Sequence, residues 1–119
     1  MICGDTEWKD HDYIRKILTK FNNNNTIVHG KFPGVEFIVN FYCQLLELKT
    51  NCIIGYNKNK SLYTDNTKYS ERLYGIYTCS IPDKILIIDN NFEDNERYNF
   101  IKYVSNNTEI IVIKSIMYH

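Results

Sequence analysis

Short β-branched and aliphatic runs alternate along this chain with longer stretches whose apolar positions recur at helical spacing. The runs predict strands and the longer stretches predict helices. The first run, Met1-Ile2-Cys3, is only a stub before Gly4-Asp5. So short a strand implies either a lost part of an element or a start further upstream. Asp10 is a good N-cap, and Tyr13, Ile14, Ile17, Leu18 and Phe21 follow at helical spacing, which predicts a helix over 11–21. Four asparagines, Asn22 to Asn25, end it, and a strand over 26–28 follows.

A longer helix is predicted over 34–49, with Ile38, Phe41, Leu45 and Leu48 as its buried stripe and Val39, Tyr42 and Leu46 widening it. Cys52, Ile53 and Ile54 centre a strand over 51–55, and 56–67 is a polar, aperiodic segment of the kind that carries function in small domains. A helix over 68–78 then turns Leu73, Ile76 and Tyr77 inward. The run Lys84-Ile85-Leu86-Ile87-Ile88 has no polar residue after its first position, which predicts an interior parallel strand buried on both faces. A turn over 89–94, a helix over 95–105 capped by Asp94, and a strand over 109–114 complete the pattern, with 115–119 as a loose tail.

Strict alternation of strand and helix implies crossover connections and a parallel sheet. The expectation is an α/β fold, a Rossmann-like three-layer sandwich of about five parallel strands with helices on both faces, formed by residues 1–119 as one domain. In such sheets ligands sit beyond the carboxyl ends of the strands. Residues 4–8, 29–36 and 89–94 should therefore share one rim.

Composition narrows the function classes. Fourteen basic and fourteen acidic residues give zero formal charge, and no Lys or Arg run forms a local footprint, so nucleic acid is not the expected partner. Cys3, Cys43, Cys52 and Cys79 are scattered without the C-x-x-C pairs of a zinc site, so they are expected as reduced thiols, with no metal and no cofactor. No signal-peptide pattern precedes Gly4 and no apolar run approaches the ~20 residues that span a bilayer. A soluble cytoplasmic protein without a membrane partner is the resulting expectation. Trp8 reads as a packing anchor at the end of the core.

The stretch with most chemical content is 26–37, T-I-V-H-G-K-F-P-G-V-E-F, a strand, a tight turn and a helix start. Unpaired N–H groups at a helix N-terminus, with glycines that let a ligand approach, make such a turn a candidate anion cradle. The same glycines are also the ordinary residues of a tight turn.

With G-D-T-E-W after the first strand, this stretch resembles the SLOG superfamily, specifically the branch often called YAcAr. That branch typically shows G-S-R-D-W after its first strand and V-V-H-G-G-A-R-G-A-D after its second. Arg72, upstream of Pro82-Asp83-Lys84-Ile85-Leu86, falls where the family places the Arg of an R-N-x-x-M motif. The resemblance implies a Rossmann-like domain that binds nucleotides or nucleotide-derived ligands as a sensor or processor, and it makes a homodimer a candidate assembly. Gly4, His29, Gly30, Gly34 and Arg72 match the pattern directly, and Glu36 stands where the family has Asp. Lys31, Phe32-Pro33 and Leu73 depart from it. So does D-N-N-F-E-D after the fourth strand, where the family has P-G-G-x-G-T. In that turn Asp89, Glu93 and Asp94 are expected to put negative charge on the rim and to remove close backbone approach.

The ligand-binding residues expected on this basis are Gly4, Asp5, His29, Gly30, Lys31, Gly34, Glu36, Arg72 and Asn90. Lys31 or Arg72 would neutralise phosphate. His29 is either a ligand contact or a strand-end residue that fixes the turn. Arg72 is either a phosphate contact or a salt-bridge partner of Glu36 or another acid. The alternative functions are a hydrolase related to the Lonely Guy phosphoribohydrolases, with Glu36 and Asp5 as candidate catalytic carboxylates, and a scaffold that binds no small ligand.

Overall fold

A computed structural model describes residues 1–53, 69–94 and 96–114 of the chain. The elements are β1 (Ile2–Gly4), α1 (His11–Leu18), β2 (Ile27–His29), α2 (Val35–Leu45), β3 (Thr50–Cys52), α3 (Tyr69–Ser80), β4 (Lys84–Ile88), two 3₁₀ segments (Phe92–Asp94 and Glu96–Tyr103) and β5 (Glu109–Ile113). Ile54 and Gly55, the polar segment 56–67, Lys68, Asn95, the side chain of Asp94 with its expected cap, and the tail 115–119 lie outside what is described.

All strand pairs are parallel, as the alternation predicts, but the ladders form two small sheets. One has the order β1-β4-β5 and the other pairs β2 with β3. Strand β1 touches β2 without a ladder between them. Side-chain parity along the strands divides the core in two. Ile2, Ile27, Leu86 and Ile88 point into a cluster with Ile14 and Leu18 of α1 and Val35, Ile38, Val39 and Cys43 of α2. Cys3, Val28, Ile85 and Ile87 point the other way, onto Leu73, Ile76 and Tyr77 of α3 and onto Tyr98 and Phe100. The uninterrupted apolar run of β4 thus supplies both clusters.

The start of α1 is set as expected: the Asp10 carboxylate accepts from the Tyr13 N–H at 3.1 Å. Trp8 is buried, with its indole N–H donating to the Asp10 carbonyl at 3.0 Å.

The expected stripe of α2 holds at Ile38 and Val39, which are buried, and at Tyr42, Leu46 and Leu48, which pack against the core, and it fails at Phe41 and Leu45. Its inward arc is Val35, Glu36, Ile38, Val39 and Cys43, whereas Phe41 and Leu45 are exposed. Close approach to β1 explains this. A Cβ at Gly4 would meet the Val35 side chain at 3.0 Å, so the helix sits close on β1 with Val35 toward the strand, while Phe41 and Leu45 are turned outward.

The helix predicted over 95–105 is a kinked 3₁₀ run, with Tyr98 at φ −100° and ψ 23°. Arg97 and Tyr98 both reach the carboxylate of Asp89. Adjacent residues of an α-helix point in different directions, so holding two of them on one acceptor breaks the regular turn.

Candidate functional site

Strands β1, β2 and β4 end at Gly4, His29 and Ile88, and the loops beyond them meet. Gly34, at φ 82°, precedes α2, and a Cβ there would lie 2.1 Å from the Asp5 carbonyl oxygen. Its glycine is required by the passage of the first loop against the helix start. The Val35 N–H donates to that same Asp5 carbonyl at 3.0 Å, and the Phe37 N–H donates to Phe32 O at 2.9 Å. Donors of the first helical turn are therefore engaged by the chain itself, which moves ligand recognition from backbone amides toward side chains.

Glu36, in that first turn, is 1% exposed. Its Oε2 accepts from the Tyr69 hydroxyl at 2.6 Å. Its Oε1 has no hydrogen-bond partner among the described residues and lies where a Gly30 side chain would be, 2.4 Å from the position of a Cβ. The backbone groups of Gly30 and Phe32 favour the ionised carboxylate without reaching hydrogen-bond geometry at Oε1. Burial outweighs the Tyr69 hydroxyl, those backbone groups and the nearby Arg72 charge, and it pushes the Glu36 carboxyl up to about 7. Near neutral pH this side chain can hold or release a proton.

Tyr69 also accepts from the Gly4 N–H at 3.2 Å and faces the Gly4 carbonyl at 3.0 Å. On β1 the groups of Met1 and Asp5 pair with β4, through Leu86 N to Met1 O and Asp5 N to Ile88 O. Those of Gly4 consequently point to the β2 side. Tyr69 stands where a β2 backbone partner would complete one sheet, and this accounts for the two separate ladders. With Glu36 ionised, the single hydroxyl proton of Tyr69 goes to the carboxylate; with Glu36 protonated, it is released to the Gly4 carbonyl.

His29 is the last residue of β2 and 1% exposed. Its Nδ1 lies 2.8 Å from the Gly30 carbonyl, which fixes the proton on that nitrogen and leaves Nε2 as an acceptor without a partner among the described residues. Burial lowers its pKa and keeps the ring neutral. The partly exposed groups touching this cluster are Phe32, edge-on to Tyr69 at 4.7 Å between centroids, and Arg72, whose guanidinium lies 4.2 Å above the Phe32 ring. Lys31 is exposed on the same turn.

The acidic turn after β4 differs from expectation in its electrostatics. Asp89 is fully buried, receiving Arg97 at 2.7 Å, the Tyr98 hydroxyl at 2.5 Å and the Asn91 N–H at 2.8 Å. Arg97 also donates to Thr6 Oγ1 at 3.1 Å and lies 3.9 Å from Asp5, tying this turn to the first loop. Glu93 pairs with Lys114 at 3.1 Å. Two of the three acids are thus matched by cations, and Asp89 is a structural anchor. Asn90 is partly exposed beside it.

The structure therefore brings Gly4, Gly30, Glu36 and Arg72 into one cluster around Tyr69, with His29 adjoining it through Gly30, while Asp5 belongs to a neighbouring cluster around Arg97 and Asn90 follows Asp89 there. Tyr69, Arg97 and Tyr98 escaped the sequence reading. Tyr69 follows the aperiodic segment 56–67 and carries no motif, and Arg97 lies in a polar stretch with no signal pointing to Asp89. Among the described residues, no group of three His, Cys, Asp or Glu side chains could hold a metal ion, and no helix is long and apolar enough to cross a membrane.

No protein-family model, curated protein or solved structure matches this chain.

Proposed function

We propose that the chain binds a nucleotide or nucleotide-derived small molecule at the carboxyl ends of β1, β2 and β4, as a sensor or sequestering protein on a Rossmann-like frame. The contact of β1 with β2 supports that frame, since it joins the two ladders into the order β3-β2-β1-β4-β5. Buried Glu36 carries the proposal: its Oε1 has no hydrogen-bond partner among the described residues, stands against Gly30 and feels the charge of Arg72. An uncompensated buried oxygen costs on the order of 1–3 kcal/mol, so its retention suits a ligand hydroxyl or amide that completes it. Arg72 and Lys31 would meet phosphate, and the Phe32 ring offers an apolar face for a base.

A thermal-shift screen with nucleotides, nucleotide sugars, cyclic dinucleotides and ADP-ribose tests this. A ligand at 100 times its dissociation constant adds ~2.7 kcal/mol of stability. A rise in melting temperature that Arg72→Ala removes supports the site, and no rise with any of them refutes it.

The raised Glu36 carboxyl favours a second reading, hydrolysis of an N-glycosidic or phosphoester bond with Glu36 as proton donor. Any ligand found by the screen should then be converted on long incubation, and unchanged ligand excludes turnover of that compound. The candidate homodimer finds support in α2, where Phe37, Phe41 and Leu45 form one exposed apolar ridge at four-residue spacing.

A further inference from the structure

A cavity of ≈ 520 Å³ lies at the opposite end of the strands, where β1, β2 and β4 begin and the turns after α1 and α3 arrive. From its geometry we propose a second ligand site, for a neutral small molecule with an amide-like hydrogen-bonding edge and an apolar face. Nucleobases and cyclised dipeptides share that chemistry.

Three properties of the wall select this class. The first is charge balance. Lys84 pairs with Glu109 at 3.5 Å, and the ammonium of Met1 donates to the Lys84 carbonyl at 2.8 Å. Both cationic groups of the wall are thus engaged and Asp83 adds one acid, so the wall presents no cluster of one sign for an ionic ligand.

The second is unused amide capacity. Asn24 and Asn51 line the cavity, and their side-chain amides have no hydrogen-bond partner among the described residues. Each offers both a donor and an acceptor, the complement of a lactam edge. By contrast, the neighbouring Asn25 Oδ1 is already engaged by the Asn22 N–H at 3.2 Å.

The third is the apolar wall. Ile81 lines the cavity at 71% exposure and at φ 44°, so a β-branched side chain occupies left-handed backbone where glycine would end a helix more readily. Pro82 follows it, and half-buried Phe21 stands on the same wall. An apolar ligand face set against Ile81 and Phe21 removes that exposure from water. The cavity volume suits a nucleoside or dipeptide.

The test is an amide chemical-shift titration of the full chain with uridine, inosine and cyclo(Gly-Phe), with AMP and putrescine as charged controls. Saturable shifts confined to 24–27, 51 and 81–84 are expected with at least one of the three neutral compounds. They should weaken by about tenfold in the Asn24→Ala, Asn51→Ala double variant, as loss of two neutral hydrogen bonds implies. Both positions are exposed, and an otherwise unchanged spectrum confirms that the variant is folded. Arg72→Ala should leave these shifts intact. Uridine and inosine against cyclo(Gly-Phe) distinguishes the two sources. Shifts centred on 30–36, binding only of AMP or putrescine, affinity unchanged in the double variant, or no saturable shift would each overturn the proposal.

Discussion

The Tyr69 hydroxyl accepts from the Gly4 N–H at 3.2 Å and stands 3.0 Å from the Gly4 carbonyl. The same oxygen lies 2.6 Å from Glu36, so a single side chain from α3 joins β1 to the first turn of α2. Tyr69→Phe would leave these buried groups unpaired while keeping the ring's packing. The expected loss is about 3 kcal/mol, read as a lower urea midpoint with an unchanged slope. A loss below about 0.5 kcal/mol would mean that the hydroxyl is not holding the strand.

Glu36 and His29 together set the pH profile. The Glu36 carboxyl is raised, so its contribution is fully present below its ordinary range near 4.5 and is lost as pH rises through about 7. His29 is lowered by burial, so its contribution is present above about 6.5 and is lost as pH falls. Stability should peak in mildly acidic solution. Glu36→Gln should remove most of the alkaline decline, raising the melting temperature at pH 8 relative to wild type while changing it little at pH 5. An unaltered decline in this variant would assign the decline to another group.

Arg97 and Asp89 form the second anchor of the rim, with Asp89 fully buried and Arg97 a quarter exposed. Removing one member of a buried pair strands the other, at a typical cost of 3–5 kcal/mol. Arg97→Ala should approach that range, and Asp89→Asn, which keeps acceptor and shape, should cost less. In a double-mutant cycle the Arg97→Ala and Asp89→Ala effects should be strongly non-additive. Simple addition would show that the two side chains act independently.

Where local pattern decided structure, the sequence could be read closely. The β4 run is buried on both faces because nothing in 85–88 is polar, and Asp10 caps α1 because its carboxylate reaches the Tyr13 N–H. The stripe of α2 was read at Ile38 and Val39, but the outward turn of Phe41 and Leu45 was not, since it depends on how near Gly4 comes to Val35. Nor could the 3₁₀ form of 96–103, which depends on Asp89 drawing two consecutive residues to itself. Glycine positions marked the rim but not their cause: Gly30 and Gly34 make room for Glu36 and for the Asp5 backbone. Tyr69, on which the cluster turns, sits in a helix whose sequence carries no sign of a contact 65 residues away.

Phe41 sits in the middle of the exposed α2 ridge, at 51% exposure between Phe37 and Leu45. If self-association uses this ridge, Phe41→Glu should shift a dimer to a monomer in sedimentation while leaving the melting transition within about 0.5 kcal/mol, as befits a surface change. A monomeric wild type at high micromolar concentration, or a dimer indifferent to Phe41→Glu, would rule out this face.

Gly30 offers the sharpest separation of packing from function. A methyl group there would lie 2.4 Å from Glu36 Oε1 and 2.9 Å from the tip of Ile76. Gly30→Ala should therefore cost about 2–3 kcal/mol, in the range of overpacking. Because the closest contact is with Glu36, the cost should fall by about half in a Glu36→Ala background, where the carboxylate is gone and the flexible end of Ile76 and the Ile53 carbonyl at 3.3 Å remain. Urea denaturation of the four proteins in the cycle measures the coupling. A Gly30→Ala cost unchanged by the loss of Glu36 would place the constraint on the backbone or on Ile76, and the carboxylate would no longer explain the glycine.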